Sequence, residues 1–243
     1  MIKQPLLLLI LTLGLFLSGC EKPKDAPPAP GEQAAEAVPA KPAPLSPPTP
    51  ASPELIAKGE KLYQQNCVFC HQPDAIGKPG VAPSLTNQEL LSVASPEFIK
   101  GTIRDGRVGT GMPPFAHLGK SGIDAIYAYL DSFAKVANIS AQVNSQPHTQ
   151  GDPRLGKLWF RDICETCHGP KGDGYIAGGT GTAIGMPGFL DKASDGFIRT
   201  TIKKGRSNTR MIGYGGPASM AALSDKEIDD IIAYMRTLPN QQK

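Results

Sequence analysis

The chain has 243 residues, a charged fraction of 19%, an aromatic fraction of 6% and a formal net charge of +3. This length accommodates one or two domains. The small net charge argues against the strongly basic surface that nucleic-acid binding requires, so no nucleic-acid partner is expected.

The N-terminus has the pattern of a bacterial lipoprotein signal. Lys3 supplies a positive charge, and a short apolar run over 6–17 follows it. A bilayer span needs about 20 apolar residues, so this run is more typical of a signal peptide. It ends in Leu-Ser-Gly-Cys, which resembles a lipobox. We therefore expect residues 1–19 to be removed and Cys20 to be lipidated, with an uncleaved anchor helix as the alternative.

Either form of this signal holds the protein at a bacterial membrane on its exported, periplasmic side, with inner versus outer membrane undecided. Residues 20–52 follow, and ten of them are prolines. Such a segment favours extended polyproline II structure rather than a folded core, at about 3.1 Å per residue. It is predicted to be a disordered tether.

Two Cys-x-x-Cys-His motifs identify an internal repeat in the remaining chain. The second motif starts 97 residues after the first. This motif attaches c-type haem, because two thiols on one helical turn reach both vinyl groups of a porphyrin and the histidine becomes the proximal iron ligand. The alternatives are disulfides or a zinc site. We expect two covalent haem c groups, held by Cys67, Cys70 and His71 and by Cys164, Cys167 and His168.

Helix signals recur around both motifs. Ser52 and Pro53 open a helix before the first motif, and a middle helix runs from Ser95 to Gly106. A matching middle helix of the second repeat starts at Ser194 or Asp195. Ser224 and Glu227 form a capping box for the last helix of the second repeat. The predicted domains are 53–138 and 151–243, joined by a polar linker over 139–150.

Each repeat offers a methionine as the sixth iron ligand, since a thioether donor is typical of electron-transfer haems. Met112 lies 41 residues after His71 and is the only methionine of the first repeat. Met211 lies 43 residues after His168, beyond the middle helix, and is preferred for the second haem.

Two other methionines compete with Met211. Met186 stands in a Gly-Met-Pro context like that of Met112, but it precedes the middle helix. Met220 is the second competitor, whereas Met235 on the last helix is expected to fill the core.

These features resemble class I cytochromes c, arranged as a two-domain dihaem lipoprotein. The resemblance implies an all-α fold of two tandem domains, with a glycine and an aromatic residue of the first helix facing the last helix. It also implies a proline whose carbonyl accepts the Nδ1–H of the proximal histidine. Pro83 fits this position in the first domain, and Pro187 is the expected equivalent in the second.

With six-coordinate irons, the protein is expected to transfer single electrons between a redox donor and acceptor rather than to catalyse a reaction. The alternatives are a haem-bearing subunit of a larger membrane oxidoreductase, or a dihaem peroxidase using His117 or His148 as a ligand. The sequence leaves the oligomeric state unknown. A run of basic residues before Met211 predicts a docking patch for an acidic partner: Arg199, Lys203, Lys204, Arg206 and Arg210.

Overall fold

A computed structural model describes residues 51–241 of the chain. The predicted signal peptide, the predicted lipidation site Cys20 and nearly all of the predicted tether lie outside these residues. The described part is helical, with isolated bridges in place of strands, which agrees with the expected all-α class. Within residues 51–241, no helix has the length and apolar character needed to cross a membrane.

The first repeat contains five helices that follow the signals of the sequence. Ser52 and Ser95 each accept a hydrogen bond from the backbone N–H three residues ahead, so both predicted N-caps are confirmed. The helices are α1 (Pro53–Asn66), α2 (Val68–His71), α3 (Gln88–Val93), α4 (Pro96–Asp105) and α5 (Gly119–Asp131).

The predicted linker contains a further helix, α6 (Ser140–Asn144). Its Val143 is only 2% exposed and joins the core around the second repeat. The backbone N–H of Thr149 donates to the buried carboxylate of Asp195 at 2.9 Å. The N–H of Ile139 donates to the Ser92 carbonyl of the first repeat at 2.7 Å. The segment 139–150 is therefore fastened to both repeats and does not act as a free polar connection.

The second repeat follows the same order with one irregularity. A turn of π-helix, Phe160–Cys164, separates the first helix of this repeat from its motif helix. The capping box of Ser224 and Glu227 is present as predicted. The helices are α7 (Pro153–Trp159), α8 (Glu165–His168), α9 (Pro187–Leu190), α10 (Asp195–Lys204) and α11 (Asp225–Thr237).

In each repeat the first helix crosses the last one at a glycine, as the resemblance implied. A Cβ at Gly59 would collide with the carbonyl of Ala125 in α5, and a Cβ at Gly156 would collide with the carbonyl of Asp230 in α11. One turn later an aromatic pair closes each crossing, Tyr63 with Tyr129 and Phe160 with Tyr234, both with ring centroids 5.3 Å apart. This contact fixes the end of the first helix, where each motif begins.

The two repeats share part of their core. Phe98 of α4 stacks on Phe197 of α10 with centroids 4.8 Å apart, and these two residues occupy equivalent positions in the two middle helices. Val93 and Ala94 of the first repeat are buried in the same apolar cluster as the helices of the second. The repeats therefore pack face to face around their middle helices, in an approximately two-fold arrangement.

Replacing Gly156 with alanine should lower the free energy of unfolding by about 1–3 kcal/mol, because the new methyl group would force α7 and α11 apart. Gly101→Ala in α4 is the matched control, since its Cβ would meet only Lys192 atoms at 3.6 Å and beyond. The control should be neutral or gain up to about 1 kcal/mol from helix propensity. Denaturant unfolding of both purified variants tests this, and equal stabilities would contradict the crossing argument.

Candidate cofactor sites

The first motif is held on one helical turn at the end of α1. The N–H of Cys67 donates to the Tyr63 carbonyl at 2.8 Å, and the N–H of His71 donates back to the Cys67 carbonyl at 2.9 Å. The hydroxyl of Tyr63 donates to the carbonyl of Gln72 at 2.7 Å. The two thiols and the imidazole are therefore presented by a single turn that the buried tyrosine anchors from both sides.

The imidazole of His71 is oriented by a backbone carbonyl. Its Nδ1 lies 3.0 Å from the carbonyl oxygen of Pro83, the residue expected for this contact. Burial lowers the pKa of His71, opposed by this hydrogen bond. A neutral ring with its proton on Nδ1 has an unprotonated Nε2, whose lone pair is free to ligate iron.

The second histidine uses a different residue from the one expected. His168 Nδ1 lies 2.7 Å from the carbonyl oxygen of Thr182, so the prediction of Pro187 is wrong. The glycine-rich loop folds back early, because the N–H of Gly181 donates to the Cys167 carbonyl at 2.7 Å. Pro187 instead starts α9, where its own carbonyl accepts from the N–H of Asp191 at 3.0 Å.

A sequence signal for Thr182 was present. The middle helices of the two repeats are related by an offset of 99 residues, as their N-caps Ser95 and Ser194 show. The same offset relates Pro83 to Thr182. The expectation of a proline favours Pro187 instead, but a backbone carbonyl acts as an acceptor whatever its side chain.

The turns that carry Met112 and Met211 have the same backbone hydrogen bonds. The Met112 carbonyl accepts from the N–H of Arg107 at 3.1 Å, and the Met211 carbonyl accepts from the N–H of Arg206 at 2.6 Å. Each methionine N–H donates to a threonine hydroxyl two residues earlier, at 3.2 Å and 3.0 Å. Both methionines are partly buried. The structure thus makes Met211 the counterpart of Met112.

The competing methionines lie elsewhere. The thioether of Met186 faces the first repeat, where a Cβ at Gly109 would be 2.9 Å from its sulfur. Met220 is 88% exposed, and Met235 is buried at 2% exposure as expected for a core residue. Met186 is therefore engaged between the repeats, and the equivalence with Met112 favours Met211.

The four motif cysteines are free in the structure, with no disulfide within either pair. Burial raises the pKa of Cys67 to about 11 and that of Cys164 to about 12, so both are neutral thiols at physiological pH. Nowhere in residues 51–241 do three or more His, Cys, Asp or Glu side chains gather as a metal cluster would require. Paired thiols beside a carbonyl-oriented imidazole fit covalent haem c.

The predicted docking patch is not a continuous surface. Arg199 is only 8% exposed and is paired with Asp229 at 2.7 Å, so its assignment to the patch is wrong. Lys203 is paired with Asp225 at 2.6 Å, and Arg206 lies over the Phe197 ring at 5.6 Å. The sequence shows a run of basic residues, but it does not show which of these side chains form ion pairs or ring contacts within the domain. Lys204 and Arg210 remain exposed.

The two histidines outside the motifs lie at the surface. His117 is exposed and follows the Met112 turn, and the side chain of His148 is 94% exposed. His148 Nδ1 lies 3.4 Å from a carboxylate oxygen of Asp195. The surface positions of both side chains do not indicate iron ligation.

Family models match both repeats separately. Residues 54–130 match "Cytochrome C oxidase, cbb3-type, subunit III", and residues 154–239 match "Cytochrome c". The chain is a tandem of two cytochrome c domains. Domains of this kind carry covalently bound haem c, in agreement with the thiol and imidazole geometry.

Similar proteins cover both domains. The cbb3-type cytochrome c oxidase subunit CcoP of Rubrivivax gelatinosus is 32% identical over 191 residues, which cover 76% of this chain and 55% of that protein. The subunit FixP of Bradyrhizobium diazoefficiens is 26% identical and matches 75% of this chain and 60% of its own length. This chain therefore spans a little over half the length of these relatives.

Among solved structures, a chain of a reducing HAO-like protein complex from Kuenenia stuttgartiensis has a TM-score of 0.46 and 19% identity. The match covers 74% of this cytochrome and 95% of that chain.

Replacing Met211 with alanine should remove about half of the near-infrared sulfur-to-iron charge-transfer intensity of the oxidised protein and lower one reduction potential, because one thioether ligand is lost. Met186→Ala and Met220→Ala are the matched controls and should keep the full band. Absorption spectra and redox titrations provide the measurement. A loss of the band in Met186→Ala but not in Met211→Ala would reverse the assignment.

Proposed function

We propose that this chain is a dihaem c-type cytochrome that transfers single electrons on the exported side of a bacterial membrane, as the cytochrome c subunit of a terminal oxidase complex. The observation that carries the proposal is the offset of 99 residues, which relates the histidine-supporting carbonyls of Pro83 and Thr182 and also the turns of Met112 and Met211. This shared offset supports two cofactor sites built in the same way.

Haem c bound at these sites supplies reversible one-electron chemistry between ferric and ferrous iron. The protein's part is to hold the ligands rigidly, so that little rearrangement accompanies the change in charge. His71 and His168 are fixed by backbone carbonyls, and the methionine turns are fixed by the N–H groups of Arg107 and Arg206. His71 and His168 with Met112 and Met211 would hold the two irons, and such paired ligands would leave no position for water.

A fixed oxidase subunit is favoured over a free shuttle. Relatives that match both domains are subunits of cbb3-type cytochrome c oxidases. The close packing of Phe98 on Phe197 also suits a subunit, because it keeps both sites in one body beside a neighbouring protein. In this proposal Cys20 and the tether keep the cytochrome domains at the membrane, and Lys204 and Arg210 are available to an acidic redox partner.

A dihaem peroxidase is the competing function. It would need one iron without a stable sixth ligand, where peroxide could bind. The equivalent backbone contacts of Met112 and Met211 argue against such a vacancy.

The purified holoprotein should contain two haem c groups per chain, and its reduced form should bind carbon monoxide at neither. Pyridine haemochrome absorbance with protein mass measures the first, and difference spectra after carbon monoxide addition measure the second. Met112→Ala is the positive control, because it opens one iron and should bind carbon monoxide there. Ready binding by the wild-type protein would favour the peroxidase.

Exchanging residues 1–20 for a secretory signal peptide that is cleaved without lipidation separates a subunit from a shuttle, because it removes either form of the anchor. A subunit should remain in the membrane fraction and co-purify with oxidase activity, because protein contacts still hold it. A shuttle should move into the periplasmic fraction. Haem-stained fractions from cells that express each form give the measurement, and release of the exchanged variant would contradict the subunit proposal.

A further inference from the structure

Arg107 extends from the first cytochrome domain into the second. Its backbone N–H holds the Met112 carbonyl, but its guanidinium Nη2 donates to the carbonyl of Ala183 at 2.7 Å. The guanidinium carbon also lies 5.0 Å from the ring centroid of Phe189, another residue of the second domain. One side chain therefore links the methionine turn of the first site to the backbone of the second.

The peptide that Arg107 contacts adjoins the support of the second proximal histidine. Ala183 directly follows Thr182, whose carbonyl accepts from His168 Nδ1 at 2.7 Å. The guanidinium thus lies one peptide away from the group that orients this imidazole. Burial lowers the pKa of Arg107 to about 10, so the side chain still carries its positive charge at neutral pH.

The surrounding backbone leaves little freedom for this contact. A Cβ at Gly188 would lie 2.5 Å from the Val108 nitrogen and 2.8 Å from Arg107 Cα, so the chain segments touch directly. A Cβ at Gly109 would lie 2.9 Å from the sulfur of Met186. The cation is consequently held at a fixed place beside the second site.

The equivalent residue of the second domain hydrogen-bonds within its own domain. Arg206 Nη2 donates to the Thr201 hydroxyl at 3.2 Å, and its guanidinium lies over the Phe197 ring. Burial lowers the pKa of Arg206 to about 10, opposed by the charge of nearby Glu89 in the first domain. Of these two arginines, it is therefore Arg107 whose guanidinium hydrogen-bonds across the domains. The direct guanidinium contact runs from the first domain to the second.

We propose that Arg107 is a positioning residue that raises the reduction potential of the second haem from the first domain. A fixed cation disfavours the ferric state, which carries one more positive charge than the ferrous state, and the low local dielectric strengthens that effect. The hydrogen bond to Ala183 also holds the loop segment whose Thr182 carbonyl orients His168. The inference rests on the proposed function, because it requires a haem in each domain.

The test uses full-length holoprotein carrying Arg107→Gln, with Arg107→Lys as the charge-retaining variant. Lys192→Gln is the control, since Lys192 also bonds across the domains, to Asp105 at 3.4 Å, but in an ion pair. Spectroelectrochemical titration gives both potentials, which are assigned to the haems from Met112→Ala and Met211→Ala. Haem content and unfolding midpoints are recorded for every variant.

Arg107→Gln should lower the potential of the second haem and leave the first nearly unchanged, moving the electron several-fold toward the first haem at equilibrium. A tenfold move corresponds to about 59 mV for a one-electron couple. Arg107→Lys should recover most of the shift, and Lys192→Gln should show none. A change confined to the first haem, or no change in a variant that retains both haems, would overturn the proposal. A single haem in the wild-type protein would instead contradict the proposed function.

Discussion

The crossing of the first and last helices at a glycine is the constraint on which each cofactor site depends. At Gly59 and at Gly156 the backbones touch, and the neighbouring aromatic pair prevents the first helix from sliding along the last. Both motifs start a fixed number of residues beyond this contact, so the crossing determines where the thiols and the imidazole stand. A larger residue at the crossing would move the whole turn.

Contacts between the domains add a second level of organisation. Phe98 and Phe197 stack near the centre, and Asn87 donates its side-chain N–H to the Ser207 carbonyl at 3.0 Å. Glu89 accepts from the backbone and the hydroxyl of the same serine. The methionine turn of each domain is thus fixed by residues of the other, and the sites are parts of one structure.

Sequence predicted the features that depend on local chemistry. The caps at Ser52, Ser95 and Ser224 and the motif turns follow from residue type and spacing, and so does the glycine crossing once the family resemblance is recognised. The repeat offset also indicated the correspondence of Met211 with Met112. These features recur twice in one chain, so each copy supports the interpretation of the other.

The incorrect assignments have a common physical origin. Residue type predicts Pro187 as the acceptor, but a backbone carbonyl accepts a hydrogen bond whatever its side chain, and that of Thr182 does so here. A run of charges predicts a surface position for Arg199, yet in the fold this side chain is buried in an ion pair with Asp229. The contact of Arg107 with the other domain depends on how the two domains pack together, and this packing cannot be predicted from a local sequence pattern.

The burial of Val93 and Ala94 in the core of the second domain bears on the order of assembly. A ribosome synthesises this part of α3 well before α10 and α11, so an apolar surface of the first domain must wait uncovered until the rest of the chain emerges. Until then this apolar surface is open to non-specific association with other chains. The apolar surface of the first domain is therefore covered only when the second domain folds against it.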